Sequence, residues 1–324
     1  MAIDKPAFDT SNNSSFSTKL PGLQWAVDST SLGEFKTCPR KYYYSIICGY
    51  QPRSESVDLV FGILLHGGRE RYDHGRAKGM THEECLHLAL RWALAETWDK
   101  ELGRPKFPES NGPKNRLTLV QTLVWYLDEF GTNDSLETVT LANGKPAVEL
   151  SFSFDSGLKY RTTGEAIILC GHLDRIATLN DVPYIADLKT TKNTLSPSFF
   201  DQFSPNNQFS LYALAGRVAF GQPIKALIVD ACQIGVTFSR FQRQVVQRDE
   251  AQVTEWLGGL GFWLQQMEVA AVSGHWPQND KACQMYGGCQ YRSICGKSPV
   301  ARDKWLESDF KKRTWDPLLR RGDI

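Results

Sequence analysis

Residues 170–192 read "CGHLDRIATLNDVPYIADLKTTK", and this stretch decides the fold. Two runs rich in aliphatic residues flank a turn at "LNDVP", the pattern of a β-hairpin. Buried strands usually avoid charge, yet this pair carries Asp174, Asp187 and Lys189. Side chains two residues apart share a strand face. Ile185, Asp187 and Lys189 therefore lie together, while Tyr184, Ala186 and Leu188 form the opposite face, suited to packing on a helix. In the preceding strand Cys170, His172, Asp174, Ile176 and Thr178 share a face. Pairing Thr178 with Pro183 across the turn sets Asp174 opposite Asp187. Two carboxylates roughly 5 Å apart destabilise a bare sheet, and a divalent cation between them reverses that sign. Mg2+ takes a few carboxylates plus waters. Lys189 on the same side can orient a water or stabilise charge developing on a phosphate. An isolated D-x-K also occurs by chance as an ordinary ion pair on a solvent-facing strand, so the rest of the chain must decide.

Working outward, "AVELSFSFDSG" (147–157) alternates apolar and polar residues as a half-buried strand does. A helix is expected over 205–220, then strands in "KALIVDACQIG" and "SRFQRQVVQ", then a long helix over 250–272. Upstream the pattern is helical. Residues 29–50 carry Leu32, Phe35 and Tyr42 near helical spacing, and 57–75 continue as a helix. Residues 81–100 open with a Thr81–Glu84 capping box. Residues 116–130 place Leu117, Val120, Val124 and Leu127 on one stripe. The expected architecture is an α/β core with an inserted helical lobe at about 75–135, the core at about 145–250 and a cysteine-rich segment after it.

Composition fits this reading. The 324 residues are 41% apolar and 23% charged, with a net charge of +1. That is enough apolar material for a core without a disulfide scaffold, and a local basic patch suffices for nucleic acid. Residues 1–22 are Ser/Asn-rich, expected to be flexible, and lack the apolar run of a signal peptide. No run of about 18 apolar residues suggests a membrane span. Eight cysteines without a leader point to a reducing compartment, here the cytoplasm, where clustered cysteines more often bind metal. "CGKS" (295–298) mimics the end of a P-loop, but Tyr291 stands where its first glycine is required.

Four blocks in order resemble the RecB-like branch of the PD-(D/E)XK nuclease superfamily. They are Gly62 and His66 in "FGILLHGGRE", Asp174 in "GHLDRIA", Asp187 and Lys189 in "IADLKTTK", and Gln208 and Tyr212 in "NQFSLYALA". The resemblance spans residues 29–296. It implies a restriction-endonuclease-like core, a mixed central sheet flanked by helices, in a single domain over 23–300, followed by a charged tail at 301–324. It implies Mg2+ or Mn2+ held by His66, Asp174 and Asp187, with Lys189, Gln208 and Tyr212 completing the catalytic set. His66 and Glu70, four apart, share a helical face. The "HGG" glycines each weaken a helix by roughly 1 kcal/mol relative to Ala, so they permit a close approach or mark an irregular helix.

Cys38 in "FKTCPRKYYY" and Cys283, Cys289 and Cys295 in "CQMYGGCQYRSIC" resemble the iron–sulfur group of this branch, which includes the AddB-type and CRISPR-associated nucleases. Ligation by these four implies a 4Fe–4S cluster, with Zn2+ as the alternative. Both gaps in the second segment are five residues, where the group has two and five. The other four cysteines read as small core residues. The resemblance implies DNA with a free end as substrate, exonucleolytic hydrolysis, and a role in recombination, repair or replication. It also suggests a viral origin, placing the protein in host cytoplasm. Alternatives are trimming of fragments before CRISPR integration and a non-catalytic DNA-binding role. Helicase, recombination or integration proteins and a homo-oligomer are the partners so implied. Candidate DNA contacts are Arg40, Lys41, Lys192, Arg240 and Arg243, and Tyr42, Tyr43 and Tyr44 suit either base stacking or core packing.

Overall fold

The computed structural model describes residues 14–54, 56–107, 112–221 and 224–319. A two-residue strand β1 (Ala26–Val27) leads into α1 (Ser29–Thr37), capped by the Asp28 carboxylate, which accepts from the Ser31 amide at 2.8 Å. The helix expected over 29–50 breaks at Cys38, because the residue before a proline is pushed out of the helical region. Cys38 is extended, with φ −164°, and two short helical turns, Pro39–Tyr42 and Tyr43–Ile47, follow. Then come α2 (Val57–Ala77), α3 (His82–Glu96) behind the Thr81–Glu84 capping box, and α4 (Arg116–Phe130) capped by Asn115. The strands β2 (Glu137–Thr138), β3 (Val148–Lys159), β4 (Ala166–Leu179) and β5 (Val182–Thr191) come next. The order closes with α5 (Asn207–Val218), β6 (Ala226–Ile234), β7 (Ser239–Gln247) and α6 (Glu250–Ser273).

These elements form two units. The first takes residues through Ser54, Ser151–Gly171, and Ala251 onward; the second takes Glu55–Leu150 and His172–Glu250. In the second unit the hairpin adopts the register counted from its turn: Thr178 faces Pro183 and Arg175 faces Ala186. The turn itself is made by Asn180 and Asp181, with φ of 50° and 62°, a left-handed pair that matches hairpin twist. β5 runs parallel to β6, with Asp187 beside Val229, and β7 returns antiparallel on β6. β2 pairs antiparallel with β4. A mixed sheet results, as the resemblance implied.

Alternation along β5 sorts its neighbours. Leu188 joins a buried cluster with Phe61, Leu65, Leu119, Leu123 and Cys232 beneath α2, α3 and α4. Ile185, on the other face, meets α5: a Cβ on Gly216 would stand 3.2 Å from Ile185 Cδ1. Two expectations change here. α4 buries Leu119, Leu123, Tyr126 and Leu127 and leaves Leu117 61% exposed, because the helix is apolar around much of its girth and packing, not periodicity, selects the face. The "HGG" glycines lie in a continuous α2. A Cβ on Gly67 would stand 2.2 Å from the Trp92 ring and one on Gly68 2.5 Å from Leu123, so they let α3 and α4 close on α2.

In the first unit β1 runs parallel to the start of β4, Ala26 beside Ile168. Its core is aromatic. Tyr42, Tyr43 and Tyr44 are all buried; Tyr42 lies 5.6 Å from Trp276 and Tyr44 5.4 Å from Tyr291, centroid to centroid. The tyrosine run is therefore core, not a stacking platform. The expected flexible N-terminus falls partly on residues 1–13, outside the described residues. Residues 14–22 are built in: Phe16 is buried and bridges to Gln24. The expected tail carries a helix, Arg302–Asp309, and a strand, Phe310–Lys312, paired with Tyr50–Pro52.

Candidate active site

The second unit gathers His66 from α2, Glu149 from the start of β3, Asp174 from β4, Asp187 and Lys189 from β5, and Gln208 and Tyr212 from α5. Asp174 reaches across the hairpin and accepts from the Leu188 amide at 2.9 Å. His66 Nε2 lies 2.7 Å from the Leu188 carbonyl oxygen. Its Nδ1 lies 3.3 Å from Asp174 Oδ2 and 3.8 Å from Glu149 Oε1. Ligand atoms of His66, Glu149 and Asp174 all lie within 4.8 Å of one another, the one such group among the described residues. A small cavity of about 30 Å3 opens against them, lined also by Glu70, Arg69 and Arg175; that is room for about two waters.

Glu149 was not among the expected ligands. Its backbone sits at φ 48°, a conformation that costs a non-glycine residue about 1–2 kcal/mol and that turns its carboxylate toward His66. Sequence offers only a lone acidic residue opening an alternating strand. Asp187, which the resemblance placed on the metal, stands apart from this trio. It is 0% exposed, and its Oδ2 lies 2.6 Å from Lys189 Nζ. The contact is an ion pair, and no hydrogen bond among the described residues satisfies either oxygen. The ammonium two residues along the same strand face supplies its counter-charge. Lys189 also donates to Gln208 Oε1 at 3.1 Å, and Gln208 Nε2 donates to Tyr212 Oη at 2.8 Å. The i,i+4 pair thus acts in series: buried Tyr212 fixes the amide, and the amide presents its oxygen to the lysine.

The electrostatics follow from crowding. Burial pushes Asp174 up to about 6, reinforced by Asp187 and resisted by His66 and Lys189. Burial alone would lower His66, but Asp174 and Glu149 outweigh it and raise the imidazole to about 9. At neutral pH His66 is therefore an imidazolium between two carboxylates, where a cation is favoured. Two carboxylates and an imidazole, with Asp187 nearby, form a hard oxygen-and-nitrogen donor set of the kind that suits Mg2+ or Mn2+.

The candidate DNA contacts separate. Arg243 is spent on Asp134, at 2.5 and 2.9 Å, and on Asp230 at 3.0 Å. Arg40 is buried, with its Nε on the Trp276 carbonyl at 2.8 Å. Arg40 is buried and Arg243 partly so, and both charges are satisfied by protein partners. Lys41 pairs with Glu34 at 2.9 Å and Lys192 with Asp58 at 3.0 Å, while Arg240 is exposed and lies over the Phe238 ring.

The four cysteines meet in the first unit. Arg40 N donates to the Pro277 carbonyl at 3.0 Å and Asn279 Nδ2 to the Thr37 carbonyl at 2.8 Å, clamping the Cys38 turn to the later segment. Cys38, Cys283, Cys289 and Cys295 are free thiols lining one cavity of about 290 Å3. The Asn279 amide donates to Cys38 Sγ at 3.3 Å.

No curated protein matches this chain. Among solved structures it is similar to one from Eubacterium rectale named "Putative exonuclease", at 11% identity over 86% of this chain and 92% of that one, with a TM-score of 0.48. It is also similar to SSO0001, at 12% identity over 84% and 87%, with a TM-score of 0.36. The sequence profile of a nuclease superfamily matches residues 29–296, a span that holds His66, Asp174, Asp187, Lys189, Gln208 and all four clustered cysteines. With more than half its length so matched, the chain belongs to the PD-(D/E)XK nuclease superfamily.

Proposed function

We propose that this nuclease is a metal-dependent DNA exonuclease that processes DNA ends in recombination, repair or replication. The observation that carries the hydrolytic reading is the buried Asp187–Lys189 pair set beside the His66–Glu149–Asp174 group. His66 Nδ1, Glu149 and Asp174 would hold Mg2+ or Mn2+, with Asp187 a further carboxylate, while the Leu188 carbonyl, on the far side of the ring at Nε2, would fix the tautomer that leaves Nδ1 free to ligate. The bound ion would lower the pKa of a water and offset charge on the phosphoryl oxygens. The chain's own groups do the rest. His66 must give up its proton to ligate, so the imidazolium is the species that a divalent ion replaces. Lys189 has three ammonium hydrogens. Gln208 takes one, the Asp187 carboxylate holds the ammonium in place as its ion-pair partner, and a remaining hydrogen is available to the attacking water or a non-bridging oxygen. Tyr212 keeps the Gln208 amide from flipping, so Lys189 stays aimed. The buried Asp187 keeps Lys189 charged.

End-labelled single- and double-stranded DNA, with closed circular DNA beside it, should be incubated with Mg2+ or Mn2+. Loss of linear DNA alone is expected, abolished in Asp187→Asn. Equal cutting of circles would defeat the exonuclease reading, and no cleavage of any substrate would defeat the enzyme.

The cysteine cavity is read as the seat of a 4Fe–4S cluster. Four thiolates suit it. A zinc ion with Zn–S near 2.3 Å would draw four sulfurs to about 3.8 Å of one another, yet no three of these cysteines fall within 4.8 Å. The wide spacing and the cavity favour a cube of several atoms over a single ion. Its role would be structural, joining chain positions about 245 residues apart, which constrains the unfolded chain by on the order of 5 kcal/mol.

A further inference from the structure

A second charged cluster in the same unit lies beyond the D-x-K residues. Lys114, just before the Asn115 cap of α4, has a side chain only 4% exposed. Its Nζ donates to Thr190 Oγ1 at 2.9 Å and lies 3.3 Å from Asp58 Oδ1. The other oxygen, Asp58 Oδ2, lies 3.0 Å from Lys192 Nζ. One carboxylate is thus held between two ammoniums, leaving an excess positive charge. The outer pair is open to solvent, with Lys192 49% and Asp58 50% exposed. Burial would raise Asp58, but the two lysines outweigh it and hold the carboxyl below its usual range.

The position matters. Thr190 lies on the Leu188 face of β5, toward α2, where a Cβ on Gly62 would stand 3.7 Å from its Oγ1, and Asp58 precedes His66 by eight residues on that helix, about 12 Å at ~1.5 Å per residue. Phosphates of one DNA strand advance ~3.4 Å each along the axis, so this cluster is about three to four nucleotides from a phosphate at the His66 group. A carboxylate bridging two ammoniums is a short-range mimic of a phosphodiester with two non-bridging oxygens. Burying Lys114 is costly unless its partner is retained or replaced by another anion.

We propose that Lys114 and Lys192 form a phosphate-binding subsite for the DNA strand that enters the D-x-K site, with Asp58 as a built-in competitor holding the place of the phosphate. The proposal rests on the DNA-cleaving reading above and names a further contact for that substrate. It makes adjacent residues act with opposite sign: removing Lys192 weakens DNA binding, and neutralising Asp58 strengthens it.

The test is fluorescence anisotropy of a labelled oligonucleotide with no divalent metal added, for the full chain and the variants Lys192→Gln and Asp58→Asn, over a range of salt. Lys192→Gln should raise Kd about fivefold and reduce the salt slope by about 0.9 for duplex DNA. Asp58→Asn should lower Kd about threefold. A purely structural cluster gives either no change in both or a higher Kd in both, and each of those results overturns the proposal. The outcomes separate from the enzyme reading because binding is read without cleavage. A chain that cuts DNA with both variants unchanged in Kd loses only the subsite, whereas a chain that never cuts DNA loses the enzyme reading whatever the variants do.

Discussion

Replacing Lys189 with methionine tests the most exposed element of the reasoning, the buried pair on β5. Asp187 is fully buried, and among the described residues its counter-charge is the Lys189 ammonium, 2.6 Å from Oδ2. Removing one partner of a buried ion pair typically costs 3–5 kcal/mol, because the other charge is left uncompensated. The Lys189 side chain is 29% exposed, so water already screens part of the pair and the low end applies, about 3 kcal/mol. The reverse change is milder. In Asp187→Asn the lysine keeps Gln208 and can lean into solvent, so the cost is that of a weakened hydrogen bond, about 1 kcal/mol. The double variant should lose less than the sum, with a coupling of about 2 kcal/mol. Urea unfolding of the metal-free protein followed by tryptophan fluorescence measures all four forms, while DNA cleavage falls to background in every variant. If Lys189→Met is no less stable than Asp187→Asn, then Asp187 does not depend on that ammonium and the account of the pair is wrong.

Metal binding should release protons. His66 is raised to about 9 from its ordinary 6.5, so its stabilising charge is fully present below 6.5 and lost as pH climbs through 9. Asp174, raised to about 6, costs stability as it ionises between about 4 and 6. Near pH 7.5 Mn2+ must displace the His66 proton, and calorimetry in buffers of different ionisation enthalpy should find about one proton released per ion; none would remove His66 from the ligand set. Glu149→Gln should weaken Mn2+ binding about tenfold or more, which the same titration reads. Cys289→Ser should strip iron and sulfide from anaerobically purified protein and lower its unfolding midpoint; wild-type protein carrying zinc alone would end the cluster proposal. Gly67→Ala should destabilise despite Ala being the better helix former by about 1 kcal/mol, since its methyl would meet the Trp92 ring; a rise in the thermal midpoint would show that α3 yields.

The legibility of the site varied with the range of the interaction that made it. The hairpin register, the shared face of Asp187 and Lys189 and the Gln208–Tyr212 step depend on period-two and i,i+4 geometry plus one turn, all written within about forty residues. Glu149 escaped because its direction comes from a left-handed backbone at the head of a strand, and no local pattern announces it. The buried face of α4 escaped because the helix is apolar on more than one side. Arg40 and Arg243 read as candidate DNA contacts because nothing local shows that Trp276, Asp134 and Asp230, from distant parts of the chain, take up their hydrogens.

Sequence alone therefore determined the long strands and the acids on the hairpin, since side-chain alternation and motif spacing are local properties, and the resemblance added the grouping of the four cysteines. Tertiary structure decided which acid joins His66, which lysine each carboxylate keeps and which arginines are consumed inside. Those outcomes depend on charges brought within a few ångströms by folding, where low dielectric makes the nearest counter-ion decisive.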